Sequence, residues 1–247
     1  MSAFRMSEIR RIIGKVLETL ADLRPMHPAT RAERRRQREM ERSLQRAYRA
    51  ICGISLEEAQ AMFSRPLDDG AFQSLGAYPL FLDLRDRSME AVSTGVHLLP
   101  EKVPALREVV TQGYELIGKN TYAGRTDAGN RLIFHTYEEF NGICAEISTN
   151  DVEVCRRVIA MDLRPPEPWV AFPELAETAF GFLQGNIEYW WYVYWEPYWE
   201  SLDKGKQDAF LAGATDAWQA CFWRHLGEGR EIFEEMARSR SQEADRR

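Results

Sequence analysis

Two short stretches of the sequence place a glutamate three residues after a histidine, namely His135 to Glu138 and His225 to Glu228. On a helix, side chains three positions apart lie on the same side, so each pair could bind one metal ion. Di-iron helical bundles use the reverse order, Glu-x-x-His, with further glutamates from other helices. His135 precedes the predicted capping residue Thr136, and two glycines weaken the helix after His225. Because metal ligands must also converge in space, we predict no metal and no cofactor.

Short motifs that identify common catalytic or nucleotide-binding sites do not occur in this sequence. There is no complete Gly-x-x-x-x-Gly-Lys-Ser/Thr phosphate loop, no Gly-x-Gly-x-x-Gly, no His-Glu-x-x-His and no Gly-x-Ser-x-Gly. A catalytic pair of one cysteine and one histidine that come together only in the folded chain stays possible. The sequence therefore assigns no catalytic residue, and whether the protein is an enzyme is left undecided.

Residues 30–49 form an arginine-rich segment with eight arginines and three glutamates, a net charge of +5. Since the whole chain carries −6, the remainder carries −11. Arginine binds phosphate through paired hydrogen bonds, so Arg34, Arg35 and Arg38 are candidate anion-binding residues, and residues 31–49 could bind nucleic acid. The alternative is a solvated helix surface whose arginines pair with carboxylates elsewhere. The acidic remainder favours this alternative, and we expect no nucleic acid partner.

Residues 187–199, IEYWWYVYWEPYW, form an aromatic segment that holds four of the seven tryptophans. The helical flanks favour a helix, although the composition also suits a strand. Large aromatic side chains are mostly buried, so one interpretation is a core helix with Trp191 and Trp195 in the interior. The other is a contact surface, because tyrosine and tryptophan bury a large area at low entropic cost. On that interpretation the candidate partner-binding residues are Tyr192, Tyr198 and Trp199.

The overall properties of the chain indicate the cellular compartment in which it works. It has 247 residues and a net charge of −6, and it shows no secretory signal and no uninterrupted apolar span. The four cysteines are widely separated, which is typical of reduced, buried thiols. We therefore expect a soluble, cytoplasmic protein that neither spans nor binds a membrane, and its oligomeric state stays open.

Helix start signals recur along the chain. Capping boxes, in which Ser, Thr or Asn is followed three residues later by Glu, predict helices after Thr30, Ser55, Thr136 and Asn150. Apolar periodicity predicts further helices over 7–23, from Pro104 to Gly118, and from Asp203 to Met236. These signals predict a mainly α fold: one multi-helix bundle over residues 1–238, with at most a small β-hairpin near 119–135, followed by a frayed polar tail over 239–247.

The leading functional expectation is a non-enzymatic protein that binds a protein partner, either as an inhibitor or immunity-type neutraliser or as an adaptor. One alternative is an enzyme in an α-helical scaffold, with an aromatic-lined pocket and a site made of His225 and nearby carboxylates, with or without a metal ion. A second alternative is nucleic-acid binding through the arginine-rich helix.

Overall fold

A six-stranded antiparallel sheet lies at the centre of the fold. The computed structural model describes residues 31–76, 78–127, 129–175, 180 and 183–225. The strand order across the sheet is β1-β2-β6-β5-β4-β3. The strands are β1 (Leu82–Asp83), β2 (Val92–Leu98), β3 (Tyr114–Leu116), β4 (Thr121–Gly124), β5 (Arg131–Glu139) and β6 (Gly142–Thr149).

Helices precede, interrupt and follow the strands, and they take up about half of the described chain. The helices are α1 (Arg31–Cys52), α2 (Leu56–Met62), α3 (Asp69–Gln73), α4 (Val103–Thr111), α5 (Val152–Ala160), α6 (Pro168–Ala171), α7 (Asn186–Trp190), α8 (Glu196–Ser201), α9 (Lys204–Gly213) and α10 (Asp216–His225). Short 3-10 turns lie at Arg85–Arg87 and Pro100–Lys102, and a π-helical turn lies at Trp191–Trp195.

One face of the sheet is covered by α4 and α5. Because side chains alternate between the faces of a strand, every second residue of β2, β5 and β6 points to this side. The strand residues on this face pack against apolar residues of the two helices. The group includes Val96, Leu98, Leu132, Phe134, Ala145 and Ile147 from the strands, and Leu106, Val110, Val154 and Val158 from the helices.

The opposite face of the sheet is covered by two separate apolar clusters. At one end, α1 and α2 pack around Ile133 of β5, with Cys52 and Phe63 among the buried residues. At the other end, the aromatic segment and α10 pack against Cys144 of β6 and Tyr137 of β5. A row of polar sheet residues therefore lies where the two clusters meet.

The prediction of a mainly α bundle with one small hairpin is wrong, because the sheet has six strands. The largest error lies after Thr136, where the structure has the β5–β6 hairpin instead of a helix. Glu139 pairs with Gly142, so the loop is Phe140–Asn141. Both loop residues have positive φ, 51° and 52°. That backbone matches the right-handed twist of a two-residue hairpin, and cross-strand pairing outweighs the local capping signal.

Two predicted helices are shorter than the sequence indicated. The helix at Pro104 ends at Thr111, because Gly113 takes a φ of 81° and the chain continues as β3. The long helix expected from Asp203 is broken after Gly213, and α10 begins at Asp216. The structure also contains β2, a strand that none of the sequence patterns above predicted.

Other local predictions are confirmed. Ser55 caps α2 in a full capping box with Glu58. A helix begins after Asn150 as expected, but its cap is Asp151, while the Asn150 side chain accepts a hydrogen bond from the Arg131 backbone. The expected helix over 7–23, the Thr30 cap and the tail over 239–247 lie outside the described residues.

The aromatic segment is helical, as its flanks predicted, with a π-helical turn immediately before α8. Pro197 lies at the start of α8, and proline inside a regular helix would clash with the carbonyl four residues earlier. The wider π turn therefore accommodates the proline at the junction with α8.

Candidate functional site

The aromatic segment contributes mostly to the core. Trp191 and Trp195 are fully buried, as expected for the inward side. Of the three candidate partner-binding residues, Trp199 is buried, and Tyr198 is half-buried with its ring 5.4 Å from that of Tyr78. Tyr192 is 43% exposed. The segment therefore presents Tyr192 to solvent and uses its tryptophans for packing.

A chain of polar side chains crosses the sheet where the two clusters meet. The Tyr137 hydroxyl donates a hydrogen bond to Glu146 Oε1 at 2.9 Å, and the Tyr194 hydroxyl lies 3.3 Å from that of Tyr137. His135 Nε2 lies 3.5 Å from the other oxygen of Glu146. His135 and Glu146 are directly opposite each other on β5 and β6, so the strand register positions the pair.

Glycine at position 95 allows the aromatic segment to approach this row. Gly95 is opposite Glu146 on the other neighbouring strand, β2. A Cβ atom at Gly95 would lie 3.5 Å from the ring of Tyr194, so the ring packs directly on the glycine backbone. The buried Tyr194 hydroxyl thereby reaches Tyr137, and burial raises its pKa well above the ordinary value.

The His135 end of the chain opens into a cleft beneath α1. The cleft has a volume of about 80 Å³. Its polar lining comes from Tyr48, Arg87, Ser93, His135, Glu146 and Ser148, and its apolar lining from Leu44, Ala47, Ile51, Cys52, Leu84 and Ile133. The residues of the segment 187–199 do not line this cleft. The structure thus provides a histidine–carboxylate site, but it is made of sheet residues rather than of the aromatic segment and His225.

Tyr48 and Arg87 form the side of the cleft away from the sheet. The Tyr48 hydroxyl donates to the sulfur of Met89 at 3.6 Å. Burial raises the pKa of Tyr48 to about 12, and the nearby Arg87 guanidinium opposes that effect. The buried Nε of Arg87 has no hydrogen-bond partner within the part of the chain that the structure describes.

The structure describes both members of one His-x-x-Glu stretch, His135 and Glu138, whereas Glu228 of the other stretch lies outside the described residues. Residues three apart on a strand point to opposite faces, so Glu138 on β5 is directed away from His135. His225 ends α10, its ring packs 5.5 Å from that of Trp191, and its Nε2 lies beside the Phe180 carbonyl. Within the described residues, no group of three or more His, Cys, Asp and Glu side chains is arranged to hold a metal ion.

The exposed side of α1 carries a stripe of arginines. Arg35, Arg38, Arg42, Arg46 and Arg49 follow one another at intervals of three or four residues, so they lie along one side of the helix. All five are exposed. The opposite side of α1 packs on the sheet and α2 through residues that include Ala47, Tyr48, Ile51 and Cys52. We call these five residues the arginine stripe.

Among the described side chains, one carboxylate forms an ion pair with this stripe. Arg35 pairs with Glu39 at 3.1 Å, and both side chains are mostly exposed, so the pair contributes little to stability. Arg38, Arg42, Arg46 and Arg49 form no ion pair with any carboxylate of the described residues. Of the three predicted anion-binding residues, Arg35 and Arg38 belong to the exposed stripe. The side chain of Arg34 is not among those that the structure describes.

All four cysteines lie in the described part of the chain, where they are buried and form no disulfide. Burial raises the pKa of the Cys52, Cys155 and Cys221 thiols to about 12. A thiol in that state is a poor nucleophile, because the thiolate is the reactive form. A nucleophilic cysteine is therefore not favoured at these three positions.

No family model, curated protein or solved structure matches this chain. Within the described residues, no helix has the length and apolar character needed to cross a lipid bilayer. The cleft and the arginine stripe are therefore the features from which we infer a function.

Proposed function

We propose that this protein acts by binding another protein that presents an acidic surface, and that the arginine stripe of α1 is the contact. The observation that carries the proposal is the row of five exposed arginines on one side of a single helix. Arginine is enriched in protein interfaces, and its planar guanidinium binds carboxylates through paired hydrogen bonds. Complementary charge across such a contact also speeds association and selects against wrong partners.

Two features favour a protein over a nucleic acid as the partner. The chain outside residues 30–49 carries a net charge of −11. That charge repels a nucleic acid, whose backbone is anionic along its whole length, whereas a protein partner needs to be acidic only where it meets the stripe. The exposed Glu39 also lies on the same side of α1 as the stripe. An interface that mixes charges of both signs is common between proteins, whereas nucleic acid selects an unbroken basic surface.

The test is capture of a partner by the immobilised full chain, from an extract of its own source treated with nuclease. The stripe variant carries Arg42→Gln, Arg46→Gln and Arg49→Gln. The matched control variant carries Arg36→Gln, Arg125→Gln and Arg156→Gln, the same charge change at exposed positions off the stripe. We expect the stripe variant to lose roughly tenfold or more of the affinity for the captured protein, a change of ~1.4 kcal/mol.

The control variant should retain the wild-type affinity, and the captured protein should present an acidic surface. Binding should also weaken as salt rises, because exposed charge pairs are screened. Capture that disappears after nuclease treatment indicates a nucleic acid instead, and equal capture by all three proteins removes the stripe from the interface. An activity assay of the captured protein then separates an inhibitor, which lowers that activity, from an adaptor, which leaves it unchanged.

A further inference from the structure

The cleft beneath α1 contains two opposite charges that do not neutralise each other. Arg87 comes from the 3-10 turn after β1, and Glu146 comes from β6 in the centre of the sheet. Both residues lie in the described part of the chain, and they do not form an ion pair with each other. Glu146 is instead held by Tyr137 and His135. A ligand that carries both charges could bridge the gap between them.

The rest of the lining suits a small ligand with polar ends. Ser93 and Ser148 bind each other through their hydroxyls at 3.0 Å and lie on the floor of the cleft next to the His135–Glu146 row. Apolar side chains such as Ile133 and Leu84 close the remaining sides. Ligand sites have this general character, with a few convergent polar groups in a mainly apolar wall.

The size of the cleft limits the ligand. Its volume of about 80 Å³ is well below the roughly 300 Å³ at which drug-sized sites begin. It nevertheless exceeds the ~15 Å³ that one water molecule requires. A ligand with only a few heavy atoms fits, and a nucleotide or a sugar does not.

We propose that this cleft binds a small zwitterion of the class of glycine or alanine, with the carboxylate on Arg87 and the ammonium group on Glu146. The guanidinium of Arg87 lines the cleft and carries N–H donors that suit a carboxylate. Glu146 retains acceptor capacity, because a carboxylate can accept about four hydrogen bonds. The methyl group of alanine would contact the apolar wall. This site is separate from the arginine stripe, which lies on the opposite side of α1.

The test is isothermal titration calorimetry of the full chain with glycine, L-alanine, acetate, methylammonium and L-phenylalanine. We expect saturable binding of glycine or alanine at one site. Acetate and methylammonium each carry one of the two charges and should bind at least tenfold more weakly. Phenylalanine should not bind, because its ring exceeds the cleft.

Variants assign the binding to the cleft. Arg87→Gln and Glu146→Gln should each weaken the binding of alanine at least tenfold, while Arg85→Gln, an exposed position on the same turn, should leave it unchanged. If Glu146→Gln does not fold, Arg87→Gln alone decides, since this side chain is only partly buried. The proposal is overturned if neither amino acid binds, if acetate binds as tightly as alanine, or if Arg87→Gln binds alanine like the wild type.

Discussion

Trp190 Nε1 donates a hydrogen bond to His97 Nδ1 at 2.9 Å, and both side chains are completely buried. This bond ties the aromatic segment to β2 in the interior of the protein. Because Nδ1 accepts, the neutral ring carries its proton on Nε2, which donates to the Glu139 carbonyl at 3.1 Å. His97 is thus fixed in one tautomer between the helices and the hairpin, and a second proton has no acceptor at Nδ1.

The first prediction concerns the pH dependence of stability. Burial lowers the pKa of His97 from 6.5 to about 4, and the bond to Glu139 opposes this only in part. The unfolded chain therefore binds a proton between pH 6.5 and 4 that the folded chain does not. The stabilising contribution is complete above pH 6.5 and is lost as pH falls towards 4. The free energy of unfolding should fall by ~1.4 kcal/mol per pH unit in that window, from this group alone.

Urea denaturation at half-unit pH steps from 7.5 to 4 measures this dependence. His97→Gln provides the comparison, since it removes the titrating ring and keeps a polar side chain. The variant should be less stable at pH 7, and its slope between pH 6.5 and 4 should be smaller by about one proton. Identical slopes for the two proteins would show that His97 titrates normally in the folded state.

Local signals in the sequence were sufficient where the structure depends on neighbouring residues. The capping box at Ser55 predicted α2, because the cap and its partner Glu58 are three residues apart. The helical aromatic segment followed from its flanks. The arginine-rich segment is likewise the helix α1, and the side that carries the stripe follows from helical periodicity.

The sheet required pairing between distant segments, which local patterns do not show. The Thr136–Glu139 box has the composition of a cap, but Asn141–Gly142, with strand-forming residues on both sides, is a hairpin signal one residue from the Phe140–Asn141 loop that forms. The candidate cleft was missed for the same reason. His135 meets Glu146 only through the β5–β6 register, and Arg87 reaches the cleft only because β1 and β2 place its turn there.

The second prediction tests the close approach of β6 to His97. A Cβ atom at Gly142 would lie 2.5 Å from His97 Nε2 and 2.8 Å from the Leu98 carbonyl oxygen. Gly142→Ala should therefore destabilise the protein by ~1–3 kcal/mol, because the backbone of β2 must shift. At Gly213, the last residue of α9, a Cβ atom would meet nothing within 4 Å, so Gly213→Ala should be neutral or stabilising by up to ~1 kcal/mol.

Thermal and urea denaturation of both variants measure the difference. A normal stability for Gly142→Ala would mean that β2 and β6 are further apart at this point than the structure shows. The comparison with Gly213→Ala removes the general effect of alanine on the entropy of the unfolded chain.

The third prediction separates the packed and exposed sides of the aromatic segment. Trp191 is fully buried, and its ring packs 5.6 Å from that of Phe222. Trp191→Ala should cost ~3–5 kcal/mol of stability. The adjacent Tyr192 is 43% exposed, and Tyr192→Ala should change stability by no more than ~0.5 kcal/mol. Partner capture by Tyr192→Ala, measured in the same assay as the stripe variants, tests whether this residue contributes to binding.

The last prediction concerns the polar chain from Tyr194 to Glu146. Tyr137→Phe removes the hydroxyl that donates to Glu146 and leaves the buried Tyr194 hydroxyl without this partner, so it should cost ~1–3 kcal/mol. Tyr194→Phe removes the deeper hydroxyl, which burial keeps from water. The double variant lacks both hydroxyls, so neither is left without its hydrogen-bond partner at this contact. The double variant should therefore lose less stability than the two single variants lose together. The difference, which is the coupling free energy of a double-mutant cycle, should be at least ~0.5 kcal/mol. The cycle uses urea denaturation at pH 7.5, where His97 is neutral, and strict additivity would show that the two hydroxyls do not interact in solution.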